Sequence, residues 1–386
     1  MGLLWKAPLP FLWEWFSVFW HPAYLSSVCY SLAYAAWLKH YEQKRFGCTL
    51  KSPTSLFFRT LFLGAGAGLF VSFCLLVSDW GIGEEEWLFV LGCMALLAIA
   101  GFRFVCLAYS VGLLSLASLF LRIFPLPPVG APWNQLIGHL QHFSIGYWLW
   151  LVGILHLLEW FLIRLDGAYG AYPIIAERAG GQEVNGLMLQ QGWPVPLLLF
   201  HQAHPFALPV FLSFSSVTLS KPLKQQKRLV STLTLLYGLG LCAILGLMRV
   251  WDGAVWIAAA FALMAHEMIY QWGRMAEKRR EPIYVSDQKG MKVLAVVPGS
   301  PAAEMGLKRG DIIQRFNGSR IRTMEDLIRC SENATFCKLE VLDERNDHHI
   351  MQKVLYEDDP RHLGVVGAIP DPEAEPIEEY KTLSSP

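Results

Sequence analysis

Charged side chains are scarce in the first two thirds of this chain. They make up 17% of its 386 residues, and more than half of them lie after Gly273. Together with 54% hydrophobic residues and 15 tryptophans, that scarcity excludes an ordinary soluble globular protein. The formal net charge of zero averages two unlike parts and points to no nucleic-acid partner. Cysteine pairs of the CxxC type are missing. Most of the eight cysteines fall in apolar runs, where the thiol is a small hydrophobe, and Cys330 and Cys337 stay reduced if their domain is cytosolic. A charged leader followed by a small-residue cleavage site is missing too, so no removable signal peptide is expected.

What is present is a series of long apolar runs, and a crossing helix needs ~20 such residues at ~1.5 Å rise each. Residues 8–20 are too short and carry Glu14, which reads as an aromatic interfacial segment ahead of a first crossing at 23–38. Lys39, Lys44, Arg45 and Lys51 then form a basic loop, placed in the cytoplasm by the positive-inside rule. A second crossing is expected over 56–77, with Arg59 snorkelling at its end and Gly64, Gly66 and Gly68 suited to close packing. The acidic Glu84-Glu85-Glu86 marks the outer face. Apolar runs follow at 87–100, 104–121, 144–163 and, broken by Pro194, Pro196, Pro205 and Pro209, at 193–214. The polar stretch 164–192 reads as an outer loop folded into a hairpin around Gly180-Gly181. A second basic loop holds Lys221, Lys224, Lys227 and Arg228. Final spans at 230–250 and 253–272 lead into Arg274, Lys278, Arg279 and Arg280.

The count contains a conflict. Passing from an outer Glu84 to a cytoplasmic Lys221 takes an odd number of crossings, and four apolar runs lie between them. The expected architecture is an α-helical polytopic membrane domain of six to eight spans over 1–273, followed by a basic linker at 274–282.

The stretch after it is the most specific in the chain. VVPGSPAAEMGLKRGDIIQRFNG, residues 296–318, combines a strand end, a Pro-Gly-Ser-Pro turn, Gly-Leu, Gly-Asp and Asn-Gly. A helix capped by Thr323 with Asp326 three residues on follows, then two alternating runs around a polar turn. This order resembles bacterial PDZ domains, so a small α+β PDZ-like domain is expected over 283–368, with an acidic disordered tail at 369–386. A PDZ fold adds a peptide to a sheet edge and holds its terminal carboxylate on backbone N–H groups. Leu363, Gly364 and Val365 are the expected carboxylate loop, with Ile283, Tyr284 and Val285 as second choice. Leu327 and Ile328 either line the groove or pack beneath it.

Membrane proteins bearing PDZ domains include site-2 type metalloproteases, whose zinc needs HExxH. Here His266-Glu267-Met268-Ile269-Tyr270 puts a tyrosine at the second ligand position. The pairs His139 with His142, His201 with His204, and His156 with Glu159 have helical spacing, and they read as interfacial or satisfied side chains. No catalytic residue, metal ligand or cofactor is expected.

Over its whole length the chain resembles the MinJ family of cell-division topology proteins of Gram-positive rods. The resemblance is carried by His21-Pro22, by QQGWPVP at 190–196, by Phe336-Cys337-Lys338-Leu339-Glu340-Val341, and by Leu363-Gly364. It implies a non-enzymatic scaffold at septa and poles, linking a DivIVA-like coiled-coil protein to a MinD-like ATPase and its partner MinC. It also implies contact with membrane lipids and a cytoplasmic PDZ-like domain, and it leaves homo-oligomerisation open. The alternatives are a PDZ-containing intramembrane protease or protease regulator, and a transporter with an attached adaptor.

Overall fold

A computed structural model describes residues 8–76, 78, 80–128, 130–177, 183–201, 204–332, 334–356, 359–360 and 362–370. The expected tail at 371–386 and the Gly180-Gly181 turn lie outside these residues. The helical layer begins with α1 (Pro8–Ser17), a short 3-10 turn, α2 (Pro22–Phe46) and α3 (Pro53–Leu75). Helix α2 starts on His21, whose Nδ1 accepts from the Ala23 amide at 3.2 Å, and stops at left-handed Gly47. Ser52 and Pro53 start α3 in the same manner. Then come α4 (Glu84–Ala100), α5 (Leu107–Ile123), α6 (Trp133–Gln141) and α7 (Ile145–Asp166). A three-stranded antiparallel sheet follows, β1 (Tyr172–Glu177), β2 (Glu183–His201) and β3 (His204–Thr218), and then α8 (Leu223–Leu247) and α9 (Ala254–Arg279).

The run at 193–214 is therefore the far part of a long β-hairpin, and its prolines explain why. Pro196 faces Pro209 across the hairpin and Phe200 faces Pro205. Around Pro196, the outer edge of β2 meets helices instead of a strand. Trp15 Nε1 donates to the Pro196 carbonyl at 2.9 Å, Ser72 Oγ accepts from the Leu198 amide at 2.9 Å, and the Trp80 amide donates to the Phe200 carbonyl at 2.9 Å. Alternation puts residues 194 and 196 on this same edge, where a residue without an N–H leaves no orphan donor in apolar surroundings. The α3 glycines complete the fit, because a Cβ on Gly64 would lie 2.1 Å from the Pro194 carbonyl oxygen and one on Gly68 2.5 Å from that of Pro196.

Contacts define two ends of this layer. At the distal end the α4 start meets the α7 start, with Glu86 accepting from the Ser144 amide at 3.1 Å and from Trp148 Nε1 at 2.7 Å. The α5 end is there as well, with Arg122 donating to the carbonyls of Gln141 and Phe143 at 2.8 Å each. Helices α4 and α5 thus both have one end at the distal side, and the turn between them stops halfway down, where Cys106 lies beside His156 of α7 and His266 of α9. The two form a helical hairpin of 17 residues in each arm. Only α7 passes from the Glu86 end to the other between Glu84 and Lys221, apart from the out-and-back β-hairpin.

Four helices among the described residues, α3, α7, α8 and α9, are long and apolar enough to cross a membrane. Of the other expected runs, 23–38 lies in α2, which is not apolar enough, 87–100 and 104–121 lie in helices of 17 residues, and 193–214 is β-structure. Arg59 does not snorkel freely. It pairs with buried Asp166, which also accepts from Gln191 Nε2 at 2.8 Å and Trp193 Nε1 at 3.4 Å.

The opposite, proximal end carries the second domain: β4 (Met291–Val296), α10 (Pro301–Glu304), β5 (Ile312–Phe316), β6 (Ser319–Arg320), α11 (Met324–Ser331), β7 (Phe336–Leu342), β8 (His348–Val354) and β9 (Val365–Gly367). Its sheet runs β8-β7-β5-β4-β9, with β6 paired to β5. One apolar core holds Met291, Val293, Ile313, Phe316, Leu327, Leu339, Val341, Leu363 and Val365. The sheet's outer face joins Leu294, Ala295, Val366 and Tyr284 to Leu50 and Leu187 of the helical layer. The Asn185 side chain accepts from the Ile369 amide at 2.7 Å. The loop at 164–192, expected on the outer face, is therefore on the same side as this domain. Its polarity alone did not distinguish a solvated loop from one that receives a neighbouring domain.

Candidate peptide-binding site

Strand β9 ends the sheet, with no strand beyond it among the described residues. The Gly364 carbonyl accepts from the Val297 amide at 2.8 Å and the Ala368 amide donates to the Lys292 carbonyl at 2.8 Å, so even positions face β4. By alternation, Gly367 turns its backbone groups and Val365 its carbonyl to the open edge. Helix α11 flanks that edge. Thr323 caps it, bonding the Asp326 amide at 3.1 Å, and Asp326 reaches back to the Thr323 amide at 3.1 Å. Met324 approaches β9, since a Cβ on Gly367 would lie 2.9 Å from its Sδ. Ile328, one turn on, is 38% exposed, whereas Leu327 is fully buried in the core. Of the two residues left open by the sequence, Leu327 packs beneath and Ile328 faces out.

The loop before β9 is a tight turn. Leu363 and Gly364 have φ of 53° and 80°, the left-handed region that only glycine enters freely. A Cβ on Gly364 would lie 2.1 Å from the Ser300 Cβ, so the turn is locked against the Pro-Gly-Ser-Pro corner. The Leu363 carbonyl accepts from the Ala302 amide at 3.0 Å, tying it to α10. Each amide of the loop is folded back on it: Leu363 to the Pro360 carbonyl at 2.7 Å, Gly364 to His362 Nδ1 at 2.9 Å, and Val365 to the His362 carbonyl at 2.9 Å. Sequence reasoning did not single out His362, although its place immediately before Leu-Gly-Val was in view.

Ile283 to Val285 lie elsewhere, as a strap between the two parts. The Ile283 amide donates to the Leu219 carbonyl at 2.8 Å, and the Tyr284 hydroxyl donates to the Lys221 carbonyl at 2.9 Å. Burial pushes the Tyr284 phenol up to about 12. This segment faces the helical layer and not the open edge. Beside it, a cavity of about 320 Å³ between the parts is lined by Lys51, Tyr169, Pro298 and Arg309 among others. Burial, then the neighbouring Arg309, pulls the Lys51 ammonium down to about 8.

The histidine pairs separate. His139 meets Glu85 at 3.0 Å, His142 bonds its own helix at the Gly138 carbonyl, and His201 and His204 face each other at the hairpin end. Glu267 is enclosed by Tyr109 Oη at 2.6 Å, Gln271 Nε2 at 2.6 Å and Arg103 at 3.2 Å, and the Arg103 guanidinium stands 4.8 Å over the Tyr270 ring.

With an open edge strand, a flanking helix and a left-handed Leu-Gly turn in place, the comparison with known families agrees. The PDZ domain family model matches residues 292–335. The cell division topological determinant MinJ of Bacillus subtilis (strain 168) is 24% identical over 187 residues, 48% of this chain and 47% of that protein. The chain is a distant homologue of MinJ with a C-terminal PDZ domain. A protein of Arabidopsis thaliana that carries the name protease Do-like 14 is 40% identical over 52 residues, 13% of this chain and 12% of its own. The matches thus span about half of MinJ and about an eighth of the Do-like protein.

Proposed function

We propose that this protein is a non-enzymatic membrane scaffold for division-site selection, with its PDZ domain in the cytoplasm at septa and poles. The observation that carries the reading is the open β9 edge beside α11, fixed by the Tyr284 strap and by the apolar cluster that Val366 shares with Leu50 and Leu187 to a body with four membrane-length apolar helices. A peptide adds as a further strand at Val365 and Gly367, its terminal residue lying against Leu363-Gly364 and its side chains against Met324 and Ile328. Similarity to MinJ supports a DivIVA-like coiled-coil protein and a MinD-like ATPase as partners. Holding both at one surface raises their effective concentration, so individually weak contacts suffice.

A protease reading has little to support it. Glu267 is committed to three hydrogen-bonding neighbours, Tyr270 stands where a second zinc-binding histidine would be, and the Do-like similarity is confined to a short stretch.

The test is co-purification from solubilised membranes of cells making the tagged full chain. The coiled-coil and ATPase partners are expected with the parent protein and reduced with Gly364→Leu and with the surface change Ile328→Asp. Equal recovery with both folded variants would overturn the groove assignment.

A further inference from the structure

The α4–α5 hairpin brings a cysteine to two histidines that are far apart in the chain. Cys106 precedes α5, His156 is midway along α7 and His266 midway along α9, and their ligand atoms all lie within 4.8 Å of one another. Cys106 Sγ is 3.7 Å from His266 Nε2. A sulfur at ~2.3 Å and a nitrogen at ~2.1 Å from a tetrahedral Zn²⁺ stand about 3.6 Å apart, so this edge already has the right length.

The imidazoles are prepared for a cation. His156 Nδ1 donates to the Val152 carbonyl at 2.8 Å, which fixes the tautomer and leaves Nε2 as a bare lone pair turned into the cluster. His266 Nδ1 is also without a hydrogen-bond partner. The Ala262 carbonyl one turn back, its nearest helical acceptor, is taken by the Tyr237 hydroxyl at 2.8 Å. The Tyr237 ring covers His156 with centroids 4.4 Å apart, and Tyr109 covers His266 at 4.8 Å. These are aromatic walls around a polar centre, and the bare His156 Nε2 in such a place is costly without a ligand. Glu159 Oε2 is 3.9 Å from His156 Nε2, with its side chain only 13% exposed.

We propose that Cys106, His156 and His266 bind a divalent transition-metal ion of the zinc class within the helical layer, with Glu159 closing the fourth position. The donor set suits a borderline-soft ion and not magnesium or calcium. The thiol gives up its proton to solvent on binding. One thiolate and one carboxylate then balance the two charges of the ion, leaving a neutral centre in apolar surroundings. The ion would pin the tip of the α4–α5 hairpin to α7 and to α9, the helix that leads to the PDZ domain.

The test uses the full chain in detergent, stripped with a chelator and titrated with Co²⁺. One ion per chain is expected, with a thiolate-to-cobalt charge-transfer band in the near ultraviolet that stoichiometric Zn²⁺ abolishes. Cys106→Ser should remove that band, and His156→Gln should weaken binding at least tenfold while the protein stays monodisperse. Absence of the band from monodisperse parent protein would overturn the proposal. So would a band unchanged in Cys106→Ser, since it would come from one of the other cysteines.

Discussion

The Gly364 amide donates to His362 Nδ1 at 2.9 Å, so one N–H of the proposed carboxylate loop is held by a side chain two residues back. A carboxylate bound at that N–H would have to displace the imidazole. Replacing His362 by alanine frees the donor, and one hydrogen bond recovered at ~1 kcal/mol corresponds to about fivefold tighter binding. Titration of C-terminal partner peptides onto the parent and the His362→Ala protein measures the ratio. Weaker binding by the variant would mean that His362 itself contacts the ligand.

Gly364→Leu has two penalties, a positive φ and a collision with Ser300. Loss of ~2 kcal/mol or more from the PDZ domain is expected. Thermal unfolding of the full chain should show an earlier transition that reports this domain.

Pro196→Ala introduces an N–H on the β2 edge that packs against Gly68 of α3, where no water reaches. A buried unsatisfied donor costs ~1–3 kcal/mol. Trp15→Phe removes the donor that satisfies the Pro196 carbonyl and is expected to cost a similar amount. Both should lower the unfolding temperature of detergent-solubilised protein, whereas Pro196→Ala would be silent if the edge were open to water.

Lys51 supplies a pH dependence. Its folded value of about 8 lies below its ordinary 10.5, so between these values the unfolded state holds more protons and stability rises with pH. Below about pH 8 the burial penalty is present in full. Unfolding midpoints should climb from pH 8 to 10 in the parent protein and climb less in Lys51→Met, which keeps the packing beside Tyr169 and loses the charge.

The PDZ domain was legible because its turns are stereochemically exacting. Gly310 has φ of 97°, Asn317 47° and Gly318 87°, values that few residue types tolerate, and the alternating runs between them fixed the strands. The membrane part was less legible because hydropathy measures burial and not conformation. Residues 193–214 are apolar enough for a span, but Pro194 and Pro196, and Pro205 and Pro209, recur at even spacing, which is a strand edge and not a kinked helix. The tight Leu363-Gly364 turn before β9 was found from its Leu-Gly-Val pattern. The cluster of Cys106, His156 and His266 was not, since no local spacing joins residues that meet only after α5, α7 and α9 pack together.

The most direct measurement is time-lapse imaging of a functional fluorescent fusion of the full chain in growing cells of its source. Enrichment at septa and new poles is predicted, lost when the coiled-coil polar protein is removed and reduced in Ile328→Asp. A uniform membrane signal in a fusion that retains function would contradict the scaffold account.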